Sequence, residues 1–351
     1  MPAQDWLSHL LEIGSVAGRL EFRCVYGTPW RVAYPQSPSS EIPYHVVLKG
    51  SAVLEDGSGG IHRLTAGDIV LLPNNSKHVL HDGSGIPASP AREREQPNLT
   101  ISENDGTGER LEMLCGHFVL SAPNDRLIRG NLPPVLVVHA APQDANGSHE
   151  TSGQMTNLIF LMRAESLESR LGGRAMLNAL STALFALTLR LASESAAAQT
   201  GLLALAGHPR LAPAITAMFD DPARAWNLPQ LARLCNMSRA TFMRHFQDSF
   251  GRSAYDLLTD LRMSLAANAL SQPSATAEAV AEAIGYQSVS AFRRAFTQRV
   301  GVTPGEWRRS VRGSAKAEAS APDYPAPPRS LHVDSATTAA QFADKVHSEH
   351  E

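Results

Sequence analysis

The stretch GYQSVSAFRRAFTQRVGVTPGEWRR, Gly285 to Arg309, decides the fold of the C-terminal third of the chain. Phe292 and Phe296 recur at a four-residue spacing and so share the inner face of a helix, leaving Gln287, Ser288, Ser290, Arg293, Arg294 and Gln298 outside. Gly285 sits where a tight turn needs positive φ, Ser288 or Ser290 opens the helix, Gly301 ends it and Pro304 stops any continuation. Just upstream, Thr276 caps a shorter segment whose inward stripe is Val280, Ala283 and Ile284. Two helices joined by a tight turn, the second with a polar, arginine-bearing face, make a helix-turn-helix whose second helix enters the major groove.

The same pattern stands earlier, in NLPQLARLCNMSRATFMRHFQDSFG from Asn227 to Gly251. Asn227 is the N-cap, Leu228, Leu231, Ala232 and Cys235 form the first apolar stripe, and Asn236 and Met237 break the helix. Ser238 caps a second helix in which Phe242, Phe246 and Phe250 face inward and Arg239, Thr241, Arg244 and His245 face out. The phenylalanines read as core rather than as stacking platforms, and Cys235 as a small hydrophobe. Between the copies, YDLLTDLRMSLAANAL reads as a connecting helix of about 24 Å. A rigid connector of that length holds two recognition helices near the ~34 Å between successive major grooves on one face of B-DNA.

Charge follows the same division. The 351-residue chain carries a formal net charge of −3. Trp226 to Arg312 holds 11 arginines against 6 acidic residues, a local balance of +5 that leaves −8 on the rest. Basic charge is thus gathered where phosphates must be met. Arg262, Arg308 and Arg309 read equally well as a solvated face.

Gly285, Tyr286, Ser288, Phe292, Arg294, Phe296, Thr303 and Pro304 fall in register with the signature of the AraC/XylS transcription regulators, and Pro222 to Val311 resembles that family's DNA-binding domain. The resemblance implies a two-lobed reader of double-stranded promoter DNA that bends its site and works with RNA polymerase. It assigns Arg294 to the DNA backbone and the variable positions Arg293 and Gln287 to bases. The candidate DNA-binding set is therefore Ser238, Arg239, Thr241, Arg244, Gln287, Ser288, Ser290, Arg293 and Arg294.

From Val25 to about His139 short alternating runs separated by glycine and proline point to an antiparallel β sandwich or barrel. PYHVVLKGSAVL and LTAGDIVLLPNNSKHVL resemble the cupin jelly roll, the match being good from Tyr44 to Asp82. The metal-binding cupin pattern is incomplete: His45 stands alone in the first motif, Val47 occupies the place of a second histidine, and His78 matches the second motif with His81 three residues on. His78 and His81 face opposite sides of a regular strand. His45 and His78 are therefore expected to line an effector pocket with no cofactor, a shared metal being the lesser alternative.

Two cysteines remain. Cys24 is expected before the first strands and Cys115 in the last, and jelly-roll topology brings early and late strands together. Arg23 and His117 are positioned in sequence to lower a thiol pKa. The arrangement resembles a subset of cupin regulators that respond to reactive chlorine. A thiol redox switch at Cys24 and Cys115, small-ligand sensing by the pocket, and a structural role for both cysteines all stay open.

Gly83 to Glu109, rich in glycine, proline, serine and charge, reads as an exposed, mobile insertion loop. Two apolar helices follow, around MTNLIFLMRAESLE and GGRAMLNALSTALFALTLRLASES, suited to packing on the barrel and against a second subunit. The uncharged run within the second, about 15 residues interrupted by Asn178, Ser181 and Thr182, falls short of the ~20 a membrane span needs. The first residues, with Asp5, His9 and Glu12, do not form a secretory signal. The expected architecture is α+β with two domains: an N-terminal β jelly roll (1–145), a helical linker and dimerisation region (146–207), an all-α double helix-turn-helix domain (208–312) and a disordered tail (313–351). The expected function is a cytoplasmic, sequence-specific transcription activator, a homodimer with no membrane partner, controlled by an oxidant or small molecule. The alternative is a cupin-type metal enzyme, an isomerase or dioxygenase, fused to a DNA-binding module.

Overall fold

The structure, a computed structural model, describes residues 5–74, 76–120, 125–140, 149–194 and 201–320. A short helix, α1 (Trp6–Gly14), leads into β1 (Ala17–Gly27), β2 (Arg31–Tyr34), β3 (Glu41–Lys49), β4 (Ser51–Glu55), β5 (Ile61–Thr65) and β6 (Asp68–Leu71). Then follow β7 (His78–His81), β8 (Ala91–Glu95), β9 (Thr100–Asn104), β10 (Arg110–Val119), α2 (Asp125–Arg129) and β11 (Leu136–His139). The strands form a seven-stranded sheet in the order β11-β6-β3-β10-β1-β9-β8 and a four-stranded sheet in the order β2-β7-β4-β5.

Each face of the larger sheet is buried against something different. Its inner face meets the smaller sheet through Phe22, Cys24, Tyr26, Val47, Met113 and Cys115, while Leu20, Val46, Leu114 and Phe118 face the helices. In β1 the even positions change sides: Leu20 faces the helices, whereas Phe22 and Cys24 face the barrel. A register shift between Leu20 and Phe22 in the pairing with β10 is the cause, because one extra residue flips every side chain after it.

Expectations for this half need correction. Cys24 does not precede the strands but lies in the middle of β1. The region read as an insertion loop contains β8 and β9, which pair with each other, and β9 also runs parallel to β1, so the sheet is mixed. Thr100, Ile101 and Ser102 are buried there. The composition of the flanking turns concealed a five-residue strand, one of whose partners, β1, lies far away in sequence.

Helices α3 (His149–Leu167) and α4 (Gly173–Glu194) cover the outer face. At 22 residues α4 has the extent expected of it, and as a whole helix, unlike the uncharged run within it, it is long and apolar enough to cross a membrane, the one such helix among the described residues. Here it lies on the sheet, with Leu177, Leu184, Phe185 and Leu189 buried. The polar residues that interrupt its apolar run dock it: Thr182 Oγ1 accepts from Gly18 N (2.8 Å), Asn178 Oδ1 accepts from Leu20 N (3.3 Å), and Ser181 Oγ bonds Tyr44 Oη (2.7 Å). Gly18 permits the approach, since a Cβ there would meet Thr182 N at 2.4 Å.

The remaining helices are α5 (Leu202–Ala206), α6 (Ala212–Asp220), α7 (Leu228–Leu234), α8 (Arg239–Phe250), α9 (Ala254–Leu270), α10 (Ala277–Ala283), α11 (Val289–Val300) and α12 (Pro304–Ser320). The central α9 serves two cores. Leu257, Leu258 and Leu261 pack with Phe242, Phe246 and Phe250, whereas Met263, Ala266, Ala267 and Leu270 pack with Phe292 and Phe296. Residues 313–320 continue α12, so the expected disorder does not begin at 313; the rest of that expectation, 321–351, lies outside the described residues.

Candidate sensor site and nucleic-acid interface

The reading helices are set by their caps. Ser238 accepts from Thr241 N at the start of α8, and Ser288 accepts from Ala291 N at the start of α11. Ser288 is therefore the cap, with Ser290 inside the helix and bonded to its hydroxyl at 2.7 Å. The first turn is made by Asn236 at φ 51°, the second by Gly285 at φ 83°. At Gly285 a side chain is doubly excluded, because a Cβ would also strike the Ala223 carbonyl oxygen. Ser238, Arg239 and Arg244 on the first reading helix and Gln287, Ser288, Ser290, Arg293 and Arg294 on the second are exposed, and Thr241 is half-buried. Arg293 meets Glu278 of α10 at 3.1 Å, an exposed pair of small energetic weight that DNA can displace.

Arg262 is no solvated face. It is buried and donates to the carbonyl oxygens of Pro222 (2.6 Å) and Arg224 (2.8 Å), tying the segment after α6 to the connector. Leu228, placed on the inner stripe, is 38% exposed, while Leu231, Ala232 and Cys235 are buried as expected.

Inside the barrel, strand register gathers the sensor candidates. Cys115 of β10 stands opposite Phe22 of β1 on one side and His45 of β3 on the other, and Cys24 is paired two positions along, with Met113. The two sulfurs lie 3.7 Å apart and both residues are buried. Tyr34 Oη lies 3.6 Å from Cys115 Sγ, and the Tyr34 ring stacks on His78 with centroids 4.7 Å apart. His45 Nε2 and His78 Nε2 are 2.9 Å apart.

The hydrogen bonds fix how this pair is protonated. His78 Nδ1 lies 3.2 Å from the Ser76 carbonyl, which only accepts, so His78 carries its proton on Nδ1. Burial pushes the His78 pKa down to about 4 and that of His45 well below its usual value, so both rings are neutral. His78 Nε2 is then the acceptor and His45 Nε2 the donor. His45 Nδ1 is left as a bare lone pair, buried and without a hydrogen-bond partner.

The expected activation of a thiol by Arg23 and His117 does not hold. Arg23 points to the opposite face of β1 and shares Glu112 with Arg163 of α3 (2.8 and 2.7 Å), and His117 is taken by Glu21 at 3.0 Å. Burial, followed by the neighbouring Cys24, pushes the Cys115 thiol well above its ordinary pKa. Tyr34 escaped the sequence reading because nothing in its spacing marks it; pairing of β2 with β7 places it opposite His78.

A cavity of about 40 Å³ is lined by Tyr34, His45, His78, Cys115 and the Glu21–His117 pair, among others. The residues do not fit a three-ligand cupin metal centre. Val47 is packed in the core, His81 faces Glu55, and no cluster of three or more metal-ligating side chains occurs among the described residues.

Comparison with known proteins gives the frame for both sites. Residues 5–194 match the cupin family, and residues 231–310 match the helix-turn-helix domain. The chain is 32% identical over 308 residues to RclR of Escherichia coli K12, described as an RCS-specific HTH-type transcriptional activator, covering 88% of this chain and 98% of that one. It is 28% identical to an uncharacterised HTH-type regulator of Haemophilus influenzae (88% and 99% covered), and 27% identical to MtrA, an HTH-type transcriptional regulator of Neisseria gonorrhoeae (87% and 98%).

The chain belongs to the AraC/XylS family, with an N-terminal cupin domain. Members of this family act on transcription, and the protein binds DNA through its helix-turn-helix domain; it is a regulator and not an enzyme. The metal-enzyme alternative falls with that assignment. Within the family frame, the outward faces of α8 and α11 are the parts available to base edges, while their phenylalanines are spent on the two cores.

Proposed function

We propose that this protein is a cytoplasmic transcription activator switched by oxidation of Cys24 and Cys115. The observation that carries the reading is the pair of sulfurs 3.7 Å apart beside a cavity of about 40 Å³. Pockets for organic effectors run from about 300 to 1,000 Å³, so the barrel interior suits a molecule of few atoms rather than a metabolite. The similarity to a relative described as RCS-specific supports the same reading.

Closing the sulfurs to the ~2.05 Å of a disulfide draws β1 and β10 toward each other along a diagonal. Both strands carry helices on their outer face. Gly18 and Leu20 hold α4, and the buried Glu112 between Arg23 and Arg163 holds α3. A change of strand register therefore reaches the helices that lead to the reader, and it shifts function only as far as the two arrangements differ in free energy.

On DNA, Arg293 and Gln287 read bases, Arg294 holds the backbone, and Ser238, Arg239, Thr241, Arg244, Ser288 and Ser290 complete the contact surface. RNA polymerase is the partner of an activator bound at a promoter. A second copy of the chain docks on the outer face of α3 and α4, where Phe160, Leu161, Leu167 and Met176 are exposed.

The test is mass spectrometry of thiol states before and after hypochlorous acid, joined to footprinting on the adjacent promoter. Cys24→Ser and Cys115→Ser are each expected to abolish the oxidant response while leaving basal DNA binding unchanged. Promoter output that still rises normally in either variant would refute the switch.

A further inference from the structure

A thiol switch at this buried site faces a chemical difficulty. Thiols react with two-electron oxidants as thiolates, and low-pKa cysteines are the usual sensors. Cys115 is buried and held protonated, and the two histidines beside it are neutral. A charged oxidant or a charged intermediate is costly to place there. A reaction suited to this site brings in a neutral reagent and releases a neutral product.

His45 supplies what such a reagent needs. It is 2% exposed, it lines the same small cavity as Cys115, and it stands directly across the β3–β10 ladder from that cysteine. Its Nδ1 is a buried acceptor with no partner, fixed as an acceptor by the bond of its Nε2–H to His78. An unpartnered acceptor of this kind calls for a donor, and the cavity limits that donor to a few atoms.

We propose that His45 docks a small, neutral, hydroxyl-bearing oxidant, with hypohalous acid as the fitting class, by accepting its O–H at Nδ1 and presenting its halogen to Cys115. Cys115 Sγ attacks the chlorine; the S–Cl bond forms as the O–Cl bond breaks, and the thiol proton leaves on the hydroxyl oxygen as water. Cys24 Sγ then displaces chloride from Cys115 Sγ, so that S–S forms as S–Cl breaks, and the Cys24 proton and the chloride leave together to solvent. Two thiols are oxidised to one disulfide, and hypochlorous acid is reduced to chloride and water. An anionic or bulkier chlorine donor lacks either the O–H or the size for this dock.

The inference rests on the thiol-switch reading, and one experiment separates them. Disulfide formation between Cys24 and Cys115 is followed by quenched alkylation and mass spectrometry in the full chain, with hypochlorous acid and with N-chlorotaurine, a larger anionic chlorine donor. Cys235, in the reader, is the internal reference thiol. In the unaltered protein the preference for the Cys24–Cys115 pair over Cys235 is expected to be roughly tenfold greater, or more, with hypochlorous acid than with N-chlorotaurine. His45→Phe, shown by its thermal melt and basal DNA binding to be folded, is expected to lower the rate with hypochlorous acid by about tenfold or more. Equal preference for the two donors overturns the inference whether or not the variant folds, as does an unaltered rate in a folded His45→Phe; both outcomes leave the switch standing. Absence of any Cys24–Cys115 disulfide in the unaltered protein removes the switch and the inference together.

Discussion

His45 and His78 are kept neutral by the protein around them, and that has a cost in acid. The folded His78 takes up its proton only near pH 4, whereas the unfolded chain does so near 6.5. Between those values the unfolded state binds more protons, so stability is complete above about pH 6.5 and is lost as pH falls toward 4, by up to about 1.4 kcal/mol per unit per histidine. His45 acts in the same sense. Thermal melts are expected to drop over this window, and His78→Phe to flatten part of the slope; an identical slope in the variant would take His78 out of the account. At this scale the sequence exposed the candidates through their motif positions, but not their protonation. That depends on Ser76 O, 3.2 Å away, and on burial, neither of which a spacing encodes.

Elements divide by whether their signal is local. The caps Asn227, Ser238 and Thr276, the glycine at 285 and the phenylalanine stripes are all within four residues of what they control, and each is found where the sequence puts it. The face of α11 follows from the same periodicity, which gives Arg293 its outward position. Arg293→Ala is expected to reduce discrimination between cognate and altered operator by ~1 to 3 kcal/mol through loss of a bidentate base contact, measured by competition binding at fixed salt. Equal weakening on every DNA would assign it to phosphate instead. By contrast β9 is not legible locally, since a short strand with Ser102 and Glu103 in it is held between β8 and β1, the latter some 78 residues earlier. Within α4, Asn178, Ser181 and Thr182 look like interruptions of the apolar run until the sheet that bonds them is present.

At the scale of the molecule, sensor and reader share one continuous apolar core running from the sheet through α1, α4 and α5 to α6, α7 and α8. Trp6 meets Phe219 edge to face, and Asn268 donates to the Ile13 carbonyl at 3.1 Å. Asn131, buried after α2, is the polar centre of the seam: it donates to Leu127 O, accepts from Arg252 Nη2 at 2.8 Å, and its carbonyl accepts from Leu202 N. Asn131→Ala is expected to uncouple the halves, so that thiol oxidation proceeds at the normal rate while the ratio of oxidised to basal promoter output falls toward one; reporter assays with parallel thiol mapping check this, and an unchanged ratio would show that the seam does not carry the signal. A cleft of about 470 Å³ opens along the same seam, but Arg252 and Arg299 within it are already paired with Asp260. The sequence alone determined the doubled helix-turn-helix, its outward arginines and the jelly-roll origin of the N-terminal half, because periodicity, caps and turns act over a few residues. Only the tertiary structure decided that Cys24 meets Cys115, that His45 keeps a bare lone pair beside them, and that the two halves are joined through Asn131. Those facts come from strand register and burial across separations of 33, 91 and 121 residues, where the deciding interactions are between groups no local pattern connects.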